Sequence, residues 1–175
     1  MTRKVLVLPY NPAWPLQFAA ESGILRTIFG TEVVAIHHIG STSIPGMSAK
    51  PIVDLLVEVR DISGLDRFNE KLSESGYTPK GENGIPGRRY FFKGSEDLHT
   101  AHVHCFQSGN EHIERNLIFR DYLKAHPSEA RSYSLLKEIL ADQFPEDIDS
   151  YVEKKDRFIQ EIDRRAHAWE ESLRR

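Results

Sequence analysis

A single cysteine, Cys105, stands among the 175 residues, and one thiol excludes an internal disulfide. Long apolar runs are also missing. No stretch is long enough to cross a membrane, and the amino terminus lacks the pattern of a signal peptide. An excess of one charge sign is absent too: 23 Lys and Arg stand against 26 Asp and Glu, a formal net charge of −3 with the signs interspersed. That balance argues against a protein that holds nucleic acid by general electrostatic attraction, although a local basic patch stays open. There is no low-complexity segment. The expectation is a soluble cytoplasmic protein forming one domain over residues 1–175, with an α/β core over about 1–108 and a helical half over about 109–175.

What is present centres on His37 to Glu58. Two β-branched runs, Val33–Ile39 and Ile52–Val59, flank a segment dense in glycine, serine, threonine and proline, which reads as strand, loop, strand. Gly40 can take positive φ and lets a ligand approach the main chain. Ser41 and Thr42 add hydroxyls to a potential nest of N–H groups suited to a phosphate. Lys50 contributes positive charge and Asp54 a carboxylate on the returning strand. An ordinary turn with Asp54 as a strand-end cap would use the same residues.

The order Gly-Ser on one strand end and aspartate on the next resembles the nucleotidyltransferase superfamily signature. In its finer wording, Gly40-Ser41-Thr42-Ser43-Ile44-Pro45-Gly46 followed by Ala49-Lys50-Pro51-Ile52-Val53-Asp54 resembles the GrpB family within that superfamily. The likeness extends to Tyr10-Asn11-Pro12-Ala13-Trp14-Pro15 near the start and to Leu117–Leu123, Tyr133 with Lys137, and Tyr151 with Lys155. It implies an α+β fold: a nucleotidyltransferase-like mixed sheet flanked by helices, with a helical carboxy-terminal half closing a cleft over the Gly-Ser loop. It also implies phosphate binding at the loop and divalent metal at strand carboxylates. The sequence departs from the superfamily pattern at one place. Where two carboxylates on one face would share the metals, the chain reads Asp54, Leu55, Leu56. The next acid on that face, Glu58, lies about 13 Å along the strand, too far to share a metal with Asp54.

A second cluster falls on the predicted strand Thr100–Phe106. His102 and His104 point to the same face with Cα atoms about 6.6 Å apart, within reach of one metal. A half-buried pair bonded to backbone is the alternative. Beside Asp54 they would form a mixed imidazole and carboxylate site for manganese, zinc, iron or nickel, where magnesium prefers an all-oxygen shell. Asp54, His102 and His104 are therefore the candidate ligands of a divalent metal, manganese or magnesium, with zinc also open. His99 and His38 are accessory candidates. Just upstream, Arg88–Lys93 reads as a strand, either an edge strand with one solvated face or a nucleotide platform.

The flanking helices carry the remaining candidates. Asn11 and Pro12 predict a helix start, with Leu16, Ala19, Ala20, Ile24 and Ile28 on its inner face and Trp14 as a packing residue. Leu65–Ser75 predicts a second helix. Three more follow, starting at Asn110, at Pro127 and after Pro145, the last with a stripe of Val152, Lys155, Ile159, Ile162, Ala166 and Trp169. Ser-Tyr-x-x-x-Lys occurs in the last two: Ser132, Tyr133, Lys137 and Ser150, Tyr151, Lys155. Tyrosine and lysine four apart share a helical face, so each pair can offer a hydroxyl and a cation to one anion. Core tyrosines with snorkelling lysines are the other reading. Lys155 inside an apolar stripe needs a partner, either an acid or a bound anion.

Three functions follow. The first is a metal-dependent nucleotidyltransferase, with Gly40, Ser41 and Thr42 on the phosphates of a nucleoside triphosphate, Asp54 as catalytic carboxylate, and Lys50, Lys137 and Lys155 neutralising charge. The second is a non-catalytic nucleotide- or phosphate-binding module that has lost its second carboxylate. The third is a metal-dependent phosphohydrolase using the histidine pair. All three take a phosphorylated small molecule.

Overall fold

The computed structural model describes residues 3–175. Its centre is a five-stranded mixed sheet in the order β1-β2-β5-β4-β3, built from β1 Val33–Ile39, β2 Val53–Val59, β3 Tyr77–Pro79, β4 Arg88–Gly94 and β5 His99–Gln107. Only β2 and β5 run parallel; β1 pairs antiparallel with β2, and β4 antiparallel with both β5 and β3.

Alternation along the central strands makes two different faces. Val53, Leu55, Val57 and Val59 join Val103, Cys105 and Phe91 in a core closed by Trp14, Leu25 and Phe29 of α1 (Trp14–Phe29) and by Leu65 and Leu72. Leu72 lies on α2, Asn69–Glu74, and Leu65 on the 3-10 segment before it. The intervening residues of the same strands (Asp54, Leu56, His102, His104 and Phe106) face the opposite way. There Ile39, Leu56, Phe106 and Ile113 form a small apolar patch that fixes the sheet against α3, Glu111–Ala125. Burying one face completely sets the register, so the polar set on the other is held without slippage.

The helical half comprises α3, α4 Pro127–Gln143 and α5 Ile148–Leu173. Asn110 and Pro127 start their helices as expected, and Asn110 Oδ1 accepts from the His112 N–H at 2.9 Å. These helices close on the loop after β1 by packing Ile44 and Met47 against Ile118, Leu123, Tyr133 and Ile162. None of the described helices is long and apolar enough to cross a membrane.

Three expectations need correction. The inner face of α1 is Trp14, Ser22, Leu25 and Phe29, with Ile24 and Ile28 packed beside it as expected, while Leu16, Ala19 and Ala20 are exposed. The helix begins at Trp14, and Asn11 instead caps the preceding turn through the Ala13 N–H. Val152 is exposed and Tyr151 takes the buried position on α5. β4 is no edge strand, because the short β3 pairs outside it; Arg89 and Lys93, which flank the buried Phe91 on the core-packed face, are held by Asp66 and Glu21. Outside the sheet, residues 5–8 form an extended arm with one bridge, Leu8 to Ala49, which needs no correction.

Candidate phosphate and carboxylate site

The turn after β1 is built to let Asp54 close to the main chain. Gly40 has φ 73° and ψ −174°, a conformation open essentially to glycine alone. A Cβ there would lie 2.7 Å from Asp54 Oδ2. Beyond it a 3-10 turn, Ser41–Ser43, is tied by the Ser43 hydroxyl to the Gly40 carbonyl at 2.5 Å. Thr42 is bonded to His38 Nε2 at 2.9 Å, and the His38 ring stacks on Phe18, so His38 supports the turn from behind.

Asp54 and the two histidines share one face, as the sequence requires. Register pairs Asp54 with His102 and Leu56 with His104 across the parallel strands. His104 Nε2 lies 3.2 Å and His102 Nδ1 3.6 Å from Asp54 Oδ1. Burial would raise the Asp54 carboxyl, but the hydrogen bonds from His102 and His104 outweigh it and hold the group well below the usual carboxylate range. The outer nitrogens of both rings are engaged. His102 Nε2 is 2.8 Å from His99 Nδ1, and His104 Nδ1 is 3.4 Å from Arg88 Nη1. A guanidinium only donates, so Arg88 suits the tautomer that turns the His104 N–H toward Asp54.

The structure thus brings the candidate ligands Asp54, His102 and His104 together, with the imidazoles turned to the carboxylate. Among the described residues, no group of three His, Cys, Asp or Glu side chains is placed to hold a metal ion. Leu56, fully buried, fills the position of a second carboxylate, and Glu58 pairs with His37 at 2.6 Å. What remains is one ionised carboxylate, and such a donor fits a hard cation that brings phosphate oxygens of its own.

Asp54 separates two cavities. The first, about 230 Å³, is lined by Ser41, Thr42, Lys50, Lys137, Tyr151 and Lys155 among others, and so collects the expected phosphate residues except Gly40 and Tyr133, which line the second. Lys137 is 2% exposed and its Nζ has no hydrogen-bond partner; neither has the Tyr151 hydroxyl. Lys137 Nζ sits 4.4 Å from the Tyr133 ring centre, while Lys50 and Lys155 lie 5.6 and 5.0 Å from that of Tyr151. Among the described residues, lysine ion pairs are made by Lys80 and Lys93, and none by these three. Burial, reinforced by the mutual repulsion of the amines, pushes Lys137 down to about 6 and Lys50 down to about 8; burial also lowers Lys155. Burial raises the Tyr133 and Tyr151 hydroxyls, the latter to about 12. Three buried amines held together with no carboxylate in ion-pair contact make a site that an anion would stabilise.

The second cavity, about 330 Å³, shares Ser41, Asp54 and Lys155 with the first and is otherwise lined by residues such as Arg88, His112, Arg115, Asn116 and Phe119. Tyr133 borders this one. Sequence reasoning missed this half. Arg88 could have been found from its place on the same strand face as Tyr90 and Phe92, but α3 carries no signal that singles out His112, Arg115 or Asn116. Arg120 pairs with Asp121 at 2.8 Å and also donates to the His38 carbonyl.

Comparisons with known proteins give the chain its relatives. The chain is 52% identical over 167 residues to the UPF0157 protein YqkA of Bacillus subtilis, covering 95% of this chain but 48% of that protein, so it spans about half the length of that relative. A crystal structure of the conserved protein GrpB from Enterococcus faecalis superposes with a TM-score of 0.89 at 42% identity, covering 92% of this chain and 96% of the other. More distantly, the Cid1 poly(U) polymerase, solved with Mg 3'-dATP bound, shares the fold alone: TM-score 0.54, 15% identity, 77% of this chain and 43% of that one. The GrpB protein family model matches residues 4–165, and the chain belongs to the GrpB family.

Proposed function

We propose that the chain binds a nucleoside triphosphate with its phosphates in the lysine cavity and transfers the nucleotidyl group to an acceptor. The observation that carries this reading is the convergence of Lys50, Lys137 and Lys155, without carboxylate partners among the described residues, on a cavity that also reaches Ser41 and Asp54. Ligand phosphates would restore the charge of Lys137 and give its Nζ and the Tyr151 hydroxyl the partners they lack. The distant fold likeness to a polymerase solved with a magnesium-bound nucleotide supports the choice of a triphosphate.

In the reaction, an acceptor oxygen bonds to the α-phosphorus, the bond to the bridging oxygen breaks, pyrophosphate leaves, and the acceptor's proton is lost to water. A divalent cation, magnesium or manganese, would be held by Asp54 and would supply charge neutralisation at the phosphates. His102 and His104 orient the carboxylate, the three lysines draw charge off the leaving pyrophosphate, and Gly40 lets Asp54 lie against the turn. Incubation with α-labelled and γ-labelled triphosphate tests the proposal: pyrophosphate release with label passed to an acceptor is expected, and release of orthophosphate alone would instead establish the phosphohydrolase.

A second reading, a binding module without turnover, is favoured by Leu56 standing where a second metal carboxylate belongs. It predicts the same thermal stabilisation by triphosphate with no product at any acceptor concentration.

A further inference from the structure

The second cavity holds a cation that the reaction above does not use. Arg88, the first residue of β4, is 7% exposed. A guanidinium carries five N–H donors. Three are engaged: Nε with the Glu82 carbonyl at 3.1 Å, Nη2 with the Asn83 carbonyl at 2.7 Å, and Nη1 with His104 Nδ1 at 3.4 Å. None of these acceptors is a carboxylate, whereas Arg89 pairs with Asp66 at 2.9 Å and Arg115 with Asp163 at 2.6 Å. A buried cation paired only with neutral groups is costly unless an anion joins it. Two donors remain, and the side chain borders a cavity of about 330 Å³.

We propose that Arg88 anchors an anionic group, phosphate or carboxylate, of a second substrate held across Asp54 from the lysine cavity. The inference rests on reading the lysine cavity as the triphosphate site and gives the acceptor a chemical class: a small molecule with one acidic group and an apolar body. Ser41, Asp54 and Lys155 border both cavities, so two occupants meet at the carboxylate. Phe106, Phe119, Ile39 and Ile159 supply apolar wall for the body, and the anion binds where bidentate geometry favours arginine over lysine.

Anion counting on the full chain tests this, with radiolabelled orthophosphate in equilibrium dialysis at saturation. Two equivalents are expected for the unmodified protein and one for Arg88→Met. Because Arg88 also pins the Glu82 and Asn83 carbonyls, folding of that variant is checked by circular dichroism. Ile159→Trp, which narrows the cavity without touching those bonds, is expected to lose the same equivalent. A single equivalent in the unmodified protein, or two retained by Ile159→Trp and by folded Arg88→Met, would overturn the inference. Lys137→Met is expected to lose the other equivalent; if it keeps both, the triphosphate reading of the lysine cavity fails while the Arg88 site stands. Competition then sorts the source: displacement of the Arg88-dependent equivalent by glycerol 3-phosphate marks a phosphorylated acceptor, by succinate a carboxylic acid, and by neither removes the acceptor role.

Discussion

Gly40 and Asp54 are in contact because one of them has no side chain: the carboxylate occupies the space a Cβ would need, with Oδ2 2.7 Å from its ideal position. Gly40→Ala must both force alanine into a glycine backbone region and push Asp54 away from the turn. The expected cost is about 2 kcal/mol or more of stability, since strained backbone of this kind alone costs roughly 1–3 kcal/mol. Chemical denaturation measures it. An unchanged midpoint would mean that the turn relaxes and that Asp54 is not held by it.

Lys137 makes stability depend on pH in a direction opposite to that of a salt-bridged lysine. Its amine is pushed down to about 6 by burial and by Lys155 and Lys50, with Glu138 opposing and the aromatic rings of Tyr133 and Tyr151 beside the cluster. The unfolded chain therefore binds a proton that the folded chain does not, between pH 6 and the ordinary lysine range. Stability from this group rises with pH across that window, and its penalty is complete below about 6. Lys137→Met should remove the slope and raise the melting temperature at pH 7. Tripolyphosphate should flatten the same slope in the unmodified protein by keeping the amine charged when folded. A pH profile shared by variant and parent would contradict the account.

Asp54 is the one carboxylate bordering both cavities. Asp54→Asn keeps the shape and removes the charge that would hold a cation. Any nucleotidyl transfer should fall by about 10³-fold, in the range of losing one preorganised electrostatic contact. Triphosphate binding, read by thermal shift without metal, should persist because the lysines remain. Equal turnover by the variant would place the chemistry elsewhere.

Much of this was legible in the sequence, and the exceptions share a cause. Period-two alternation put Asp54, His102 and His104 on common faces of their strands, and the Gly-Ser turn marked itself by composition. What alternation could not provide was the neighbours on those faces. Arg88 reaches His104 only because β4 pairs with β5 in a register that no local pattern specifies, and that contact turns a plausible metal ligand into a hydrogen-bonded one. The α1 face was misassigned because its apolar residues spread around the helix: Leu16 and Ala20 lie on the side away from Trp14, Leu25 and Phe29, and Ile24 and Ile28 lie between and continue either stripe. The second cavity lies between α3, α5 and the sheet, so its residues are joined by tertiary packing and by nothing nearby in the chain.

Tyr151 separates a ligand site from an ordinary core by the sign of one substitution. Its ring is fully buried and its hydroxyl has no hydrogen-bond partner, while Lys50 and Lys155 lie over the ring. An unpaired buried hydroxyl costs roughly 1–3 kcal/mol. Tyr151→Phe, which removes the hydroxyl and leaves the packing, should therefore stabilise the ligand-free protein by about 1 kcal/mol. If the hydroxyl serves a phosphate, the same change should reduce the thermal shift produced by a triphosphate, so the melting curves of variant and parent should cross as ligand is added. A purely structural tyrosine would raise or lower both states alike. Parallel curves at every triphosphate concentration would remove Tyr151 from the anion site and leave the phosphates to the lysines and the Gly-Ser turn.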